Sequence, residues 1–266
     1  MIRAFAAVVT ATAVALAAAP AIAAGPFDAA IAGSWRSEAN RARDTERHPA
    51  ATLAFFGVQP GQTVVEIWPS GGWYTEIIAP ALKDKGQYIA AHNNPLASMG
   101  AAKSVETFKT RFADTATFGT VKVTAFGKDA YDIAAPGSAD VVLSFRNVHN
   151  WHMAGFDEAA FAAFFKALKP GGTLGIVEHR LPEGRSDADM KTSGYMKVSY
   201  VKALAAKAGF KFVGASEVNA NAKDTKDYPK GVWTLPPTFT EGDKDRAKYA
   251  AIGESDRMTL KFVKPR

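Results

Sequence analysis

Thr63-Val64-Val65-Glu66-Ile67-Trp68-Pro69-Ser70-Gly71-Gly72-Trp73-Tyr74-Thr75-Glu76 is the stretch that decides the fold. Its first five residues are a short β-branched run, broken only by Glu66, with the composition of a buried strand. Pro69-Ser70-Gly71-Gly72 then enforces a turn, because proline cannot continue a central strand and glycine accepts a positive φ at little cost. Trp73 to Leu82 reads as a helix. Strand, glycine turn and helix make the first β–α corner of a nucleotide-binding α/β sheet, where unpaired N–H groups at the helix start meet a polar ligand. The dinucleotide fingerprint, Gly-x-Gly-x-x-Gly with an acid about 20 residues on, is absent.

Working outward, Gln87-Tyr88-Ile89-Ala90-Ala91 reads as a second strand, Val121 to Phe126 as a third and Asp140 to Phe145 as a fourth. Helix Phe156–Leu168 then leads through Lys169-Pro170-Gly171-Gly172 into a fifth, Thr173 to Val177. Phe161, Phe164 and Phe165 form a stripe at helical spacing and read as core. After helix Lys197–Ala208, strand Lys211–Val218 and the alternating run Arg257 to Val263 close the chain without an intervening crossover helix.

This series resembles the class I S-adenosylmethionine (SAM)-dependent methyltransferases. It is most similar to a group of exported bacterial predicted methyltransferases marked by Glu-Ile-Trp-Pro-x-Gly-Gly-Trp-Tyr and Phe-Arg-Asn-Val-His-Asn-Trp, which stand here at Glu66–Tyr74 and Phe145–Trp151. The resemblance spans roughly residues 45 to 266. It implies an α/β, Rossmann-like sheet of about seven strands, helices on both faces and an antiparallel C-terminal hairpin. It also implies SAM as cofactor, with Glu66, Gly71 and Gly72 bordering its methionine part, His92 at the ribose, Asp129 near the adenine, and Trp68 and Asn147 among the cofactor-binding residues. His92 stands where the family pattern has an acid. Trp68 and Ser70 stand where the family loop Glu/Asp-x-Gly-x-Gly-x-Gly has glycine, so Trp68 either stacks on the ligand or fills part of its space.

Residues 1–24 carry the pattern of a secretory signal: Arg3, an apolar stretch from Ala4 to Ala19, and a small-x-small site at Ala21-Ile22-Ala23. The expectation is export to the periplasm with no stable membrane insertion after cleavage. Residues 25–56 then read as an N-terminal helical cap and 57–266 as one α/β domain with a polar, Pro-bearing insertion at about 219–249. Within that insertion Val232 to Pro237 reads as a surface flap. The chain has no cysteine, which excludes disulfides, thiol catalysis and Cys-based zinc sites. A formal charge of +6 is scattered and forms no basic stripe, so a nucleic-acid partner is not expected.

The densest chemistry is Arg146-Asn147-Val148-His149-Asn150-Trp151-His152 at the end of the fourth strand, where ligands bind in open α/β sheets. Arg146, Asn147 and the histidines suit a carboxylate, phosphate or hydroxyl substrate. His149 or His152 suits a general base. Two plainer readings stand beside this one: a weak metal pair at i, i+3, or a loop tied down by its own hydrogen bonds. Glu178-His179-Arg180 leaves the fifth strand on the same rim. The expected function is methyl transfer from SAM to a small molecule in the cell envelope, with His149, His152 and Arg146 facing the acceptor and no metal. The alternative is a non-catalytic or repurposed protein binding a small molecule in the same crevice. A SAM-independent hydrolase is least supported, since no serine sits in a nucleophile elbow.

Overall fold

The β-branched run Thr63–Ile67 forms β1 and is flanked on both sides by parallel neighbours, so its side chains are buried on both faces. Val64 packs into one apolar layer with Leu53, Phe56, Ile77 and Leu143. Val65 and Ile67 pack into the other with Phe161, Phe164, Leu174 and Ile176. The structure is a computed structural model that describes residue 1 and residues 25–266. Apart from Met1, the expected export signal therefore lies outside the described residues; among these, no helix is long and apolar enough to cross a membrane.

The other strands are β2 (Gln87–Asn93), β3 (Val121–Phe126), β4 (Ala139–Phe145), β5 (Leu168–Leu181), β6 (Met196–Lys197), β7 (Lys211–Ser216) and β8 (Arg257–Val263). The sheet runs β3-β2-β1-β4-β5-β8-β7, with the short β6 paired to β5. β1 to β5 are parallel, and β8 is antiparallel to both β5 and β7, which gives the C-terminal hairpin. The order reverses between β1 and β4. A crevice must open there, because the connections leaving these two strands turn to opposite sides.

Three differences from the sequence reading bear on the site. Within the helical cap expected at 25–56, residues 28–47 are broken into three short helices, Asp28–Ile31, Glu38–Arg41 and Asp44–Arg47. Ser37 restarts the second by accepting from the Asn40 amide, and His48 is left-handed before Pro49, whose ring disfavours a helical predecessor. β2 continues through His92, and β5 continues four residues past Val177. Glu178 and His179 are thus strand residues, opposite Met258 and Arg257 of β8. The insertion buries Val232 and Leu235 and turns at Gly231–Thr234 before helix Arg246–Ile252.

Candidate functional site

Two cavities meet over the carboxyl ends of β1 and β4, and Trp68, Ser70, Asn147 and Asn150 line both. One, of about 420 Å³, lies toward β5 and is roofed by Arg43, Arg47, Trp73 and the Trp233–Pro237 segment. The other, of about 500 Å³, is a groove toward β2 and β3, lined by Asn93, Asn94, Ala97, Phe126 and Gly127.

The loop after β1 shapes the boundary between them. Trp68 and Ser70 hold left-handed φ values of 47° and 55°, followed by Gly72 at 81°. Non-glycine residues in that region cost of order 1–2 kcal/mol each, so the surroundings must fix them. For Trp68 they do. Its indole N–H donates to the Phe126 carbonyl at 2.9 Å, and its ring packs edge-to-face on Phe126, Trp151 and Phe156. The ring is a wall between the cavities, and the groove beyond it stays open. Gly72 serves a different need: a Cβ there would lie 2.3 Å from the Phe112 ring. Gly72→Ala is therefore expected to cost about 1–3 kcal/mol in urea unfolding, through overpacking and left-handed strain together.

Glu66 is buried below this loop and faces inward. Its Oε2 accepts from Tyr88 Oη at 2.5 Å and from Thr75 Oγ1 at 3.2 Å. Burial raises its carboxyl from the ordinary 4.5 to about 7, against the lowering effect of Tyr88, Thr75 and the Arg146 charge. The folded state then binds the extra proton between pH 4.5 and about 7, so stability falls as pH rises through that window. Glu66→Gln is expected to flatten that dependence and to be the more stable form near pH 8, by at most about 3 kcal/mol, measured by urea unfolding.

At the end of β2 the side chains alternate faces. His92 is fully buried, edge-on to Phe108, with Nε2 3.3 Å from the Ser70 carbonyl and Nδ1 accepting the Asn93 amide. Asn93, the next residue, lines the groove. Asp129 lies in an exposed turn at φ 64° and lines neither cavity.

The end of β4 carries the polar cluster. Arg146 is left-handed at φ 63°, with its amide bonded to the Val177 carbonyl, and its side chain lines the β5-side cavity. The Asn147 carboxamide donates to the Ile67 carbonyl at 3.0 Å and so bridges the ends of β1 and β4. His149 opens a short helix, Val148–Met153, and its Nδ1 lies 3.0 Å from Glu178 Oε1. Glu178 also accepts the amides of His149 and His179. A carboxylate against Nδ1 selects the Nδ1–H tautomer and leaves Nε2 as the free acceptor of a residue that lines the cavity. His152 points elsewhere, bonded to Asp157 at 2.8 Å and to Tyr200 at 2.9 Å, outside both cavities.

Opposite the cluster, Glu254 receives four guanidinium groups: Arg43 at 2.6 Å, Arg257 at 2.7 Å, Arg47 at 3.2 Å and Arg146 at 3.6 Å. Burial alone would raise the Glu254 carboxyl, but the four charges together hold it at about 2. The same crowding shows on the basic side. Burial first, and then Arg146, push Arg47 well below its ordinary value; burial first, and then Arg257 and Arg43, lower Arg146. His149, Glu178 and His179 bring three possible metal-ligand atoms within 4.8 Å of one another. Burial, His149 and then Arg146, Arg257 and Arg47 lower the proton affinity of His179 strongly, and the same field disfavours any added cation.

Neither a family model nor a curated sequence matches the chain. Solved structures do match in shape. A SAM-dependent methyltransferase from Aquifex aeolicus superposes with a TM-score of 0.57 at 14% identity, over 84% of this chain and 93% of that one. The [4+2]-cyclase SpnF gives 0.56 at 14% identity, over 83% and 80%. The phosphoethanolamine N-methyltransferase 2 of Haemonchus contortus, in complex with phosphomonomethylethanolamine and S-adenosylhomocysteine (SAH), gives 0.55 at 18% identity, over 83% of this chain and 53% of that one. The fold is that of the class I SAM-dependent methyltransferases.

In this methyltransferase fold the crevice brings together Glu66, Trp68, Gly71, Arg146, Asn147 and His149 around the β5-side cavity. It does not bring in His92, Gly72, Asp129 or His152 as lining residues. The residues present suit a nucleoside in the β2–β3 groove. The Asn93 carboxamide makes no hydrogen bond among the described residues, and the partly exposed Trp68 offers apolar surface there, over a fully buried Phe126. Sequence reasoning missed Arg43, Arg47 and Glu254 as parts of the site, and at the end of β2 it set His92 before its neighbour Asn93, which can equally bond a hydroxyl. For Arg43, Arg47 and Glu254 no local signal was present.

Proposed function

We propose that the chain is a SAM-dependent methyltransferase acting on a small molecule in the cell envelope. The observation that carries the reading is the pair of cavities meeting at Trp68 and Asn147: a partly apolar groove with a free carboxamide on one side, and a carboxylate-oriented imidazole on the other. When bound, SAM supplies a methyl group on a sulfonium, open to in-line displacement. Asn93 would meet the ribose hydroxyls, and Trp68 would flank the base. Asn147 bridges the ends of β1 and β4 between the two cavities and would help to hold cofactor and acceptor in place. His149, held by Glu178, would accept the proton that an acceptor hydroxyl or amine gives up. The envelope setting rests on the N-terminal sequence pattern alone.

A second reading, a binding protein without transfer, is favoured by Glu66, whose carboxyl bonds Tyr88 and Thr75. Calorimetric titration of residues 25–266 with SAM and SAH tests the first reading. A one-to-one heat is expected, weakened about 3–10-fold in Asn93→Ala by loss of a hydrogen bond. No heat at millimolar ligand overturns it.

A further inference from the structure

The β5-side cavity is lined by more guanidinium groups than carboxyl groups: Arg43, Arg47, Arg111 and Arg146 against Glu66 and Glu254, with Arg111 paired to Glu76. Arg43, Arg47 and Arg146 line it, and Arg257 stands behind them, all four on Glu254. Arg47 is buried, with its guanidinium 4.7 Å from the Trp73 ring centre, and hydrogen-bonds Glu254 only through Nε. Among the described residues no hydrogen bond is made by either Nη of Arg47 or by any nitrogen of the Arg146 guanidinium, whose one ionic contact is 3.6 Å long. None of these nitrogens is sealed off from the cavity. Buried guanidiniums are stable when their charge and their fork of donors are met, and here both are met only in part.

We propose that this arginine-lined end of the cavity is a subsite for an oxyanion, a carboxylate or phosphate group, carried by the acceptor. The word acceptor rests on the methyl-transfer reading; the anion subsite itself does not. Two features place the anion on the acceptor's side. Arg43, Arg47 and Arg146 line only the β5-side cavity and are separated from the β2–β3 groove by Trp68 and Asn147. His149 lines the same chamber, so an anion gripped by Arg47 and Arg146 would anchor a molecule whose nucleophile lies beside that imidazole. A metal at His149, Glu178 and His179 competes as an assignment for this chamber. It is disfavoured because both Glu178 oxygens are engaged and the surrounding guanidiniums repel a cation.

The test is calorimetry of residues 25–266 with inorganic phosphate and with sulfate at low ionic strength, repeated in the presence of saturating SAH. One anion per chain is expected, with affinity that falls as sodium chloride is added. Arg146→Gln should weaken it at least about tenfold, and Arg146→Lys, which keeps the charge but loses the fork, about threefold or more. Either replacement leaves the left-handed backbone demand at position 146 as it is, and unchanged thermal unfolding checks that the variants fold. Absence of phosphate and sulfate binding at millimolar anion, or equal affinity in Arg146→Gln, overturns the subsite. Displacement of SAH by the anion also overturns the proposal, by assigning the arginines to the cofactor's own carboxylate. Arg146-dependent anion binding in a protein that gives no heat with SAH keeps the subsite, and only the methyl-transfer reading falls.

Discussion

Glu254→Ala is expected to lower the unfolding free energy by about 3–5 kcal/mol, because it leaves buried guanidiniums facing one another without their shared counter-ion. For a chain of this size that is a fall in melting temperature of roughly 10 °C, readable by differential scanning calorimetry. The cap segment Arg43–Arg47 meets the residues leading into β8 through Glu254, so the effect should concentrate there. The pH dependence follows from sign. The Glu254 carboxyl is held at about 2, against an ordinary 4.5. Its contribution is complete above about pH 5 and disappears as pH falls toward 2, when the folded state too must take up the proton. The variant should therefore lose less stability than the wild type on acidification. An equal loss in both would place the acid sensitivity elsewhere.

The second large effect concerns turnover. With methyl transfer as the reaction, His149→Gln is expected to reduce turnover about 10²–10⁴-fold, the usual contribution of a positioned general base. SAH affinity should change far less than turnover, because His149 does not line the β2–β3 groove that takes the nucleoside. Glu178→Gln keeps the shape but weakens the hold on Nδ1–H, so it should lower turnover less and shift the pH profile. Transfer of a labelled methyl group into a small-molecule extract measures both. His152 provides an internal contrast: bonded to Asp157 and Tyr200 away from the cavities, His152→Gln should act on stability more than on turnover.

Local composition carried the sheet well. β1 and β8 have the bounds that the β-branched run and the final alternation imply, and β4 starts one residue earlier. Tertiary pairing decided the rest. β5 runs on through Glu178 and His179 only because β8 pairs alongside it, and a partner 80 residues away leaves no mark in the strand's own sequence. The same limit applies to the site. Trp68 and Ser70 keep the left-handed backbone that glycine usually supplies, a choice made by the packing of Trp68 on Phe126, Trp151 and Phe156. The inward turn of His92 is a matter of strand parity, and one residue of β2 length decides whether His92 or Asn93 meets the groove. Arg43 and Arg47 look like solvated helix charges in sequence; Glu254, more than 200 residues on, makes them part of the cavity wall.

A crystal structure of residues 25–266 with SAH bound is the most direct measurement. The nucleoside should lie in the β2–β3 groove, with its ribose at Asn93 and its base against Trp68. The homocysteine end should pass Asn147 toward Gly71 and leave Arg47 and Arg146 free. SAH seated among the arginines, or a Trp68 ring that must swing out of its packing to admit it, would contradict a crevice shared between cofactor and acceptor.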